Sequence, residues 1–238
     1  MEIRPIKTEK IILNGISLNS FLDKYIKDLK EESVVAITSK VIAIIENRVS
    51  PLTNNIEDLI KKEADFILGK NKYGRFITIK HNALISASGI DQSNGNGSYI
   101  LLPTDPQRIA KQIYLYLKKK FETKKFGVII TDSRSMPLRV GAMGVAVGFW
   151  GFSPLNNYIG TKDLFRRKFQ FEKANIVDAL SAVAVLVMGE GSEQTPIAMI
   201  ENLKQVQFDK SRPNKEDLKE LYVSLEDDIF HPFYDRTK

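Results

Sequence analysis

The sequence predicts an α+β fold with mixed and antiparallel sheets and packed helices. Three observations carry this. Helical and strand patterns interleave without a regular βαβ repeat. Short continuous apolar runs at Val34–Ile37, Val128–Ile130 and Ile197–Ile200 read as buried strands. Two long helical patterns, Pro106–Phe121 and Ala174–Met188, are apolar enough to cover a sheet.

In chain order, Leu18–Leu29 reads as an amphipathic helix with Phe21, Leu22, Tyr25, Ile26 and Leu29 on one face. Val34–Ile37 runs into Thr38-Ser39-Lys40, and Ile56–Leu68 reads as a helix. Phe76–Ile79 and Ala83–Ser86 read as strands around the turn-like His81-Asn82. Gly89–Gly97 is a polar loop rich in Gly and Asn, and Tyr99–Leu102 stops at Pro103. Asp105 is a good N-cap and Pro106 a good first-turn residue for the helix to Phe121. Val128–Ile130 ends in Thr131-Asp132-Ser133, and Gly141–Gly151 reads as a strand through Val145, Val147 and Phe149. The helix Ala174–Met188 meets Gly189-Glu190-Gly191 before the last strand. From Lys204 the chain is charged, contains Pro213 and ends in Phe230, Phe233 and Tyr234, so residues 204–238 read as an extension packed on a domain of residues 1–203.

The 238 residues suffice for one sizeable core, and 43% apolar with 27% charged residues is ordinary for a globular protein. With no cysteine, a disulfide framework, a thiolate zinc site and a cysteine nucleophile are excluded. Lys and Arg total 35 against 29 Asp and Glu, a net charge of +6. Such a balance fits an anionic small molecule, a nucleic acid, a membrane surface or a merely solvated surface. The lysines are spread out and no nucleic-acid signature accompanies them, so no nucleic-acid partner is expected. The longest apolar run, Ala179–Met188, interrupted only by Ser181, falls short of the ~20 residues needed to span a bilayer. The N-terminus lacks an apolar signal core, and a cytoplasmic location without a membrane partner is expected.

Three polar segments follow apolar ones and are read as loops: Ser88–Asn94, Thr131–Ser135 and Met188–Thr195. Each pairs a carboxylate (Asp91, Asp132, Glu190) with a hydroxyl or amide (Asn94, Ser133, Thr195). Hard divalent cations take oxygen ligands of this kind. Adjacent glycines let backbone N–H groups approach phosphate. Neither a Walker-type phosphate loop nor a G-x-G-x-x-G turn is present, so a nucleotide site has to be assembled from several segments. His81 and His231 are the two histidines, and neither sits in a catalytic motif. Metal-assisted phosphoryl chemistry, which needs positioning more than proton transfer, suits such a set.

The chain resembles the coenzyme F-420-0:L-glutamate ligase (CofE-like, γ-glutamyl ligase) family. The resemblance rests on Ser88-Gly-Ile-Asp91-Gln-Ser-Asn94, Leu101-Leu-Pro103 with Asp105-Pro106, Gly127-Val-Ile-Ile-Thr-Asp132-Ser133, Pro137-Leu-Arg139-Val-Gly141, Val145-Ala-Val-Gly148 with Gly151, Asp163-Leu-Phe and Leu186-Val-Met-Gly-Glu190-Gly, spread from about Pro5 to Ile200. It implies a CofE-like domain of mixed α+β fold, open to division into two intertwined subdomains, and a homodimer. It implies an enzyme that uses GTP and two divalent ions, Mg²⁺ or Mn²⁺, to join L-glutamate through a γ-linked amide to a deazaflavin or a related phosphorylated carboxylic acid, by way of an acyl phosphate. The resemblance assigns Asp91 and Asp132 to one metal, and Ser133, often Thr in the family, and Glu190 to the second. Ser39, Lys40 and Asn94 match nucleotide-contacting positions, and Met188, Gly189, Gly191, Ser192 and Thr195 belong to the segment that wraps the nucleotide. Arg134 and Arg139 are candidate phosphate and substrate contacts. Arg4-Pro5-Ile6 falls where the family has a segment beside the nucleotide.

This chain departs from the pattern in three places, one of them the missing Gly after Ser135 in the segment Ser135–Met143. Ile44 stands where a basic residue would touch the phosphates, a loss of ~1.5–3 kcal/mol unless compensated. Lys40 is the nearby candidate to compensate. Arg166 stands where the family tends to have Gly. These changes bear on the acceptor and on GTP against ATP more than on the fold. They leave two other readings open, a non-catalytic nucleotide- or metabolite-binding module and a metal-dependent phosphohydrolase.

Overall fold

A computed structural model describes residues 1–234. In chain order the elements are β1 (Glu2–Ile6), α1 (Leu18–Tyr25), β2 (Ser33–Thr38), α2 (Ser39–Ile45), β3 (Val49–Pro51), α3 (Ile56–Glu63), β4 (Phe66–Lys70), β5 (Phe76–Lys80), β6 (Ala83–Ser86), β7 (Ser98–Ile100), α4 (Pro106–Phe121), β8 (Phe126–Ser135), β9 (Ala142–Trp150), β10 (Leu155–Asn157), β11 (Lys173–Asn175), α5 (Ile176–Met188), β12 (Ile197–Glu201), α6 (Lys215–Leu221) and α7 (His231–Tyr234). The fold is α+β. A five-stranded sheet runs β1-β12-β2-β8-β9, β2 and β8 parallel and the other neighbours antiparallel, and a three-stranded sheet runs β4-β5-β6.

The central strands bury both faces, so their sequences are continuous apolar runs rather than alternating ones. Along β2, β8 and β12 successive residues serve opposite cores. Val35, Ile37, Val128, Ile130 and Met199 pack with Phe21 and Leu22 of α1 and Ile109, Ile113 and Leu117 of α4. Val34, Ala36, Ile129, Ala198 and Ile200 pack with Val177, Leu180 and Ala184 of α5, and Val206, Phe208, Leu218 and Leu221 from the C-terminal stretch join them. Among the described residues no helix is long and apolar enough to cross a membrane.

The helix expected over Leu18–Leu29 ends at Tyr25, where Ile26 turns extended while staying buried. The helix expected over Ile56–Leu68 ends at Glu63, because Phe66–Lys70 pairs with β5. Val41–Ile45, β-branched at every position but Ala43 and strand-like by propensity, lies within helix α2. Asp132 and Ser133 do not lie in a loop: pairing with β9 carries β8 to Ser135, opposing Asp132 to Val145 and Ser133 to Gly144. The helix from Pro106 to Phe121 has its expected bounds, with Asp105 accepting from the Arg108 N–H at its N-terminus.

Beyond Thr38 β2 gives way to α2, and β8 continues with β9 as its partner. A register shift between Ile130 and Thr131 marks the point where β8 leaves the core. Gly144 lets α5 approach β9 here: a Cβ on it would stand 2.4 Å from the Ser181 carbonyl oxygen and 2.7 Å from Val185 Cγ2.

Candidate active site

A cleft of about 720 Å³ opens at the C-terminal ends of β2 and of the core part of β8, where ligands commonly bind in parallel pairs. It is lined from four directions: Thr8–Ile12, the start of α2, the loop after β6 with Asp91, and β8 facing the loop after α5. The carboxylates Glu9, Asp91, Asp132, Glu190 and Glu193 line it, against the cations Lys10, Lys40 and Arg134.

Adjacent residues of α2 hold two carboxylates that are remote in sequence. Ser39 Oγ donates to Asp132 Oδ1 at 2.8 Å, and Lys40 Nζ donates to Asp91 Oδ2 at 2.5 Å. Asp91 also accepts from the Ser93 N–H and the Ser93 hydroxyl, both at 2.7 Å. Burial opposes its charge, but Lys40 and Ser93 outweigh burial and hold Asp91 below the usual carboxylate range. Asp132 goes the other way. As a residue it is half-buried, yet its carboxyl group is enclosed, and burial pushes it from 3.8 up to about 6, with the charge of Asp91 adding to the rise. Hydrogen bonds from Ser39 and the Ser133 N–H, and the charge of Lys40, hold that rise back.

Across the cleft Ser133 Oγ donates to Glu190 Oε2 at 3.0 Å. Glu190 follows the C-cap Gly189, whose φ of +78° suits glycine. The loop then closes on itself: Gly191 N–H donates to Glu193 Oε2 and Thr195 Oγ1 to the Met188 carbonyl. Asn94 Nδ2 donates to the Gly191 carbonyl at 3.1 Å, tying the Asp91 loop to the Glu190 loop, and the Thr8 N–H bonds the Gln194 carbonyl.

The structure thus brings Ser39, Lys40, Asp91, Asn94, Asp132, Ser133, Arg134, Glu190, Gly189, Gly191, Ser192 and Thr195 to one cleft. Met188 borders it too, with its side chain buried in the α5 core and its carbonyl accepting from Thr195 Oγ1. Arg139 is exposed in the β8–β9 turn and is not among the lining residues. Arg4 turns away to Asp28, and the N-terminal wall is built by Thr8–Ile12 instead. His81 lies apart, its Nε2 at 2.9 Å from the Pro103 carbonyl.

A family model described as F420-0:Gamma-glutamyl ligase matches residues 5–202. A Methanococcus maripaludis (strain S2) protein named coenzyme F420:L-glutamate ligase is 31% identical, covering 85% of this chain and 86% of its own length. The chain belongs to the F420-0:gamma-glutamyl ligase family. Proteins of the same name from Methanocaldococcus jannaschii (32% identical, 71% of this chain, 67% of that protein) and Archaeoglobus fulgidus (27%, 96% of each) are also similar.

For this F420-0:gamma-glutamyl ligase family member the fit of a divalent ion rests on the donor set. Among the described residues no group of three or more His, Cys, Asp or Glu side chains forms a metal cage. The donors are instead two carboxylates under mutual repulsion, a hydroxyl–carboxylate pair, and the buried Thr131 Oγ1, which has no partner. Mg²⁺ is commonly held in this way, by one or two carboxylates together with a substrate's phosphates. Arg134 Nε is likewise buried without a partner in the cleft wall. Ser93, Thr131 and Glu193 were not singled out by sequence reasoning. All three lie inside the quoted polar segments, and only the fold reveals the partners of Ser93 and Glu193 and the burial of Thr131.

Proposed function

We propose that the protein is a nucleotide- and divalent-metal-dependent ligase that forms a γ-glutamyl amide on a deazaflavin or a related phosphorylated carboxylic acid. One observation carries the reading: three segments remote in sequence bring Asp91, Asp132 and the Ser133–Glu190 pair to a single cleft in a chain of this family.

Asp91 and Asp132 would hold one ion, and Ser133 and Glu190 the other. Bound there, the ions would neutralise phosphate charge during phosphoryl transfer. The chain's own residues do the rest. Ser39 fixes the Asp132 carboxylate, and the Asn94–Gly191 contact joins the two loops that border the nucleotide. Arg134 has a free Nε–H for a phosphate or an acceptor carboxylate. Ile44, Ile85, Ile90 and Leu101 give the cleft an apolar wall beside its charged groups. The acceptor carboxylate takes the γ-phosphoryl group from GTP and GDP leaves. The glutamate amine then attacks the acyl carbon, inorganic phosphate departs, and the amine loses a proton as the amide forms, an amide that is γ-glutamyl when the phosphorylated carboxylate is the γ-carboxyl of a glutamyl unit on the acceptor.

The exposed Leu138, Val140, Leu164, Phe165 and Phe171 support a homodimer. Sedimentation is expected to show a dimer that Phe165→Asp weakens, and a monomer at all concentrations would reject it.

The activity is tested by incubating the protein with GTP or ATP, Mn²⁺ or Mg²⁺, L-glutamate and a deazaflavin acceptor. An acceptor heavier by a glutamyl unit, with release of phosphate, is the expected result. Phosphate without the mass gain would make the protein a phosphohydrolase, and neither product would make it a binding module.

A further inference from the structure

We propose that Lys40 is the cleft's resident counter-cation: its ammonium holds Asp91 in the ligand-free protein and is displaced onto the nucleotide's phosphates when a divalent ion takes that carboxylate. The inference rests on the reading that the cleft accepts a nucleotide together with a divalent ion.

Lys40 Nζ has an acceptor for each of its three protons: Asp91 Oδ2 at 2.5 Å, Ser93 Oγ at 2.9 Å and the Ser93 carbonyl at 3.3 Å. Asp91 Oδ2 also accepts from the Ser93 hydroxyl, so both of its lone-pair directions are filled. Oδ1 takes the Ser93 N–H. A cation cannot use Oδ2 while the lysine stays, and an ammonium at that distance repels a divalent ion from the same spot. Lys40 also acts electrostatically on Asp132, as does Asp91, so one lysine moderates both carboxylates.

Displacement has somewhere to go. The lining carboxylates outnumber the lining cations, so a polyanionic triphosphate meets a cleft of its own sign until cations enter. An ion on Asp91 frees the one lysine of α2, whose flexible four-carbon stem serves phosphate as a point charge. Ile44, one helical turn further on and bordering the same cleft, brings no competing charge. The exchange makes metal and nucleotide binding mutually dependent, each strengthening the other by the same factor.

The test is Mn²⁺ binding, read as free ion by electron paramagnetic resonance, with and without GTP, for wild type, Lys40→Met and Lys40→Arg. In the wild type Mn²⁺ is expected to bind about tenfold or more tightly with GTP present than without. Lys40→Met is expected to bind Mn²⁺ alone about tenfold more tightly than wild type, and to bind GTP at saturating Mn²⁺ about tenfold more weakly. Lys40→Arg, which keeps the charge, should bind Mn²⁺ alone as weakly as wild type. Lys40→Gln keeps a donor to Asp91 without the charge and carries the same expectation as Lys40→Met, should methionine fail to fold. Unchanged or weaker Mn²⁺ binding by the uncharged variants, with a wild type that binds both ligands, overturns the exchange and leaves the nucleotide site standing. A wild type that takes up neither ligand overturns both.

Discussion

Gly144→Ala puts the link between packing and site to the test. Gly144 pairs with Ser133 across β8 and β9, and α5, which carries Glu190 just beyond its end, crosses above it. The added methyl carbon would lie 2.4 Å from the Ser181 carbonyl oxygen and 2.7 Å from Val185 Cγ2. The first obstacle is helix backbone, which cannot rotate aside, so α5 has to lift from the sheet. Overpacking of this kind costs about 1–3 kcal/mol, or roughly 2–12 °C in melting temperature for a chain of this size. Gly191→Ala is the control: its nearest neighbour is the flexible Glu193 carboxylate at 3.3 Å, and its melting temperature should match wild type. Calorimetry measures both. At a temperature where Gly144→Ala is still folded, its ligase activity should fall further than its folded fraction, because the 3.0 Å Ser133–Glu190 contact depends on the seating of α5. A Gly144→Ala protein that melts within a degree of wild type with full activity would refute the reasoning.

Arg48→Ala should lower stability by about 3 kcal/mol in urea unfolding, because Glu63, only 11% exposed, would lose its cation at 2.5 Å. His81 predicts an acid-limb effect. Burial lowers its pKa from 6.5, so the unfolded chain binds the proton more readily, and stability is lost as pH falls from 6.5 toward the folded value. His81→Gln should flatten that stretch of the curve in thermal melts, and an unchanged slope would show that the ring is not held neutral. Asn94→Ala removes one hydrogen bond between the two cleft loops. It should raise the Michaelis constant for the nucleotide roughly 2–10-fold with the melting temperature unchanged.

Much of this fold is legible where the signals are local. Asp105 and Pro106 announce α4, and the both-sides-buried strands β2, β8 and β12 stand out as uninterrupted apolar runs. Local signals mislead where tertiary pairing decides. Ala64–Leu68 continues a helical pattern, yet β5 draws Phe66–Lys70 into a sheet. Val41–Ile45 favours strand by side-chain shape, yet it packs as a helix against β2. At the site, the residue types of the three polar segments point to oxygen ligands. The clamp made by Ser39 and Lys40 on Asp132 and Asp91 joins residues 93 and 51 positions apart, which spacing alone does not pair.

The account stands on the claim that Asp91, Asp132, Ser133 and Glu190 present their oxygens to divalent ions on a bound triphosphate. Anomalous diffraction at the manganese edge, from crystals grown with Mn²⁺ and a non-hydrolysable GTP analogue, tests it most directly. The account predicts manganese peaks in bonding contact with Asp91 and Asp132 and beside Ser133 and Glu190, bridged by phosphate oxygens. An ordered nucleotide elsewhere, or manganese that avoids these four residues, would contradict it.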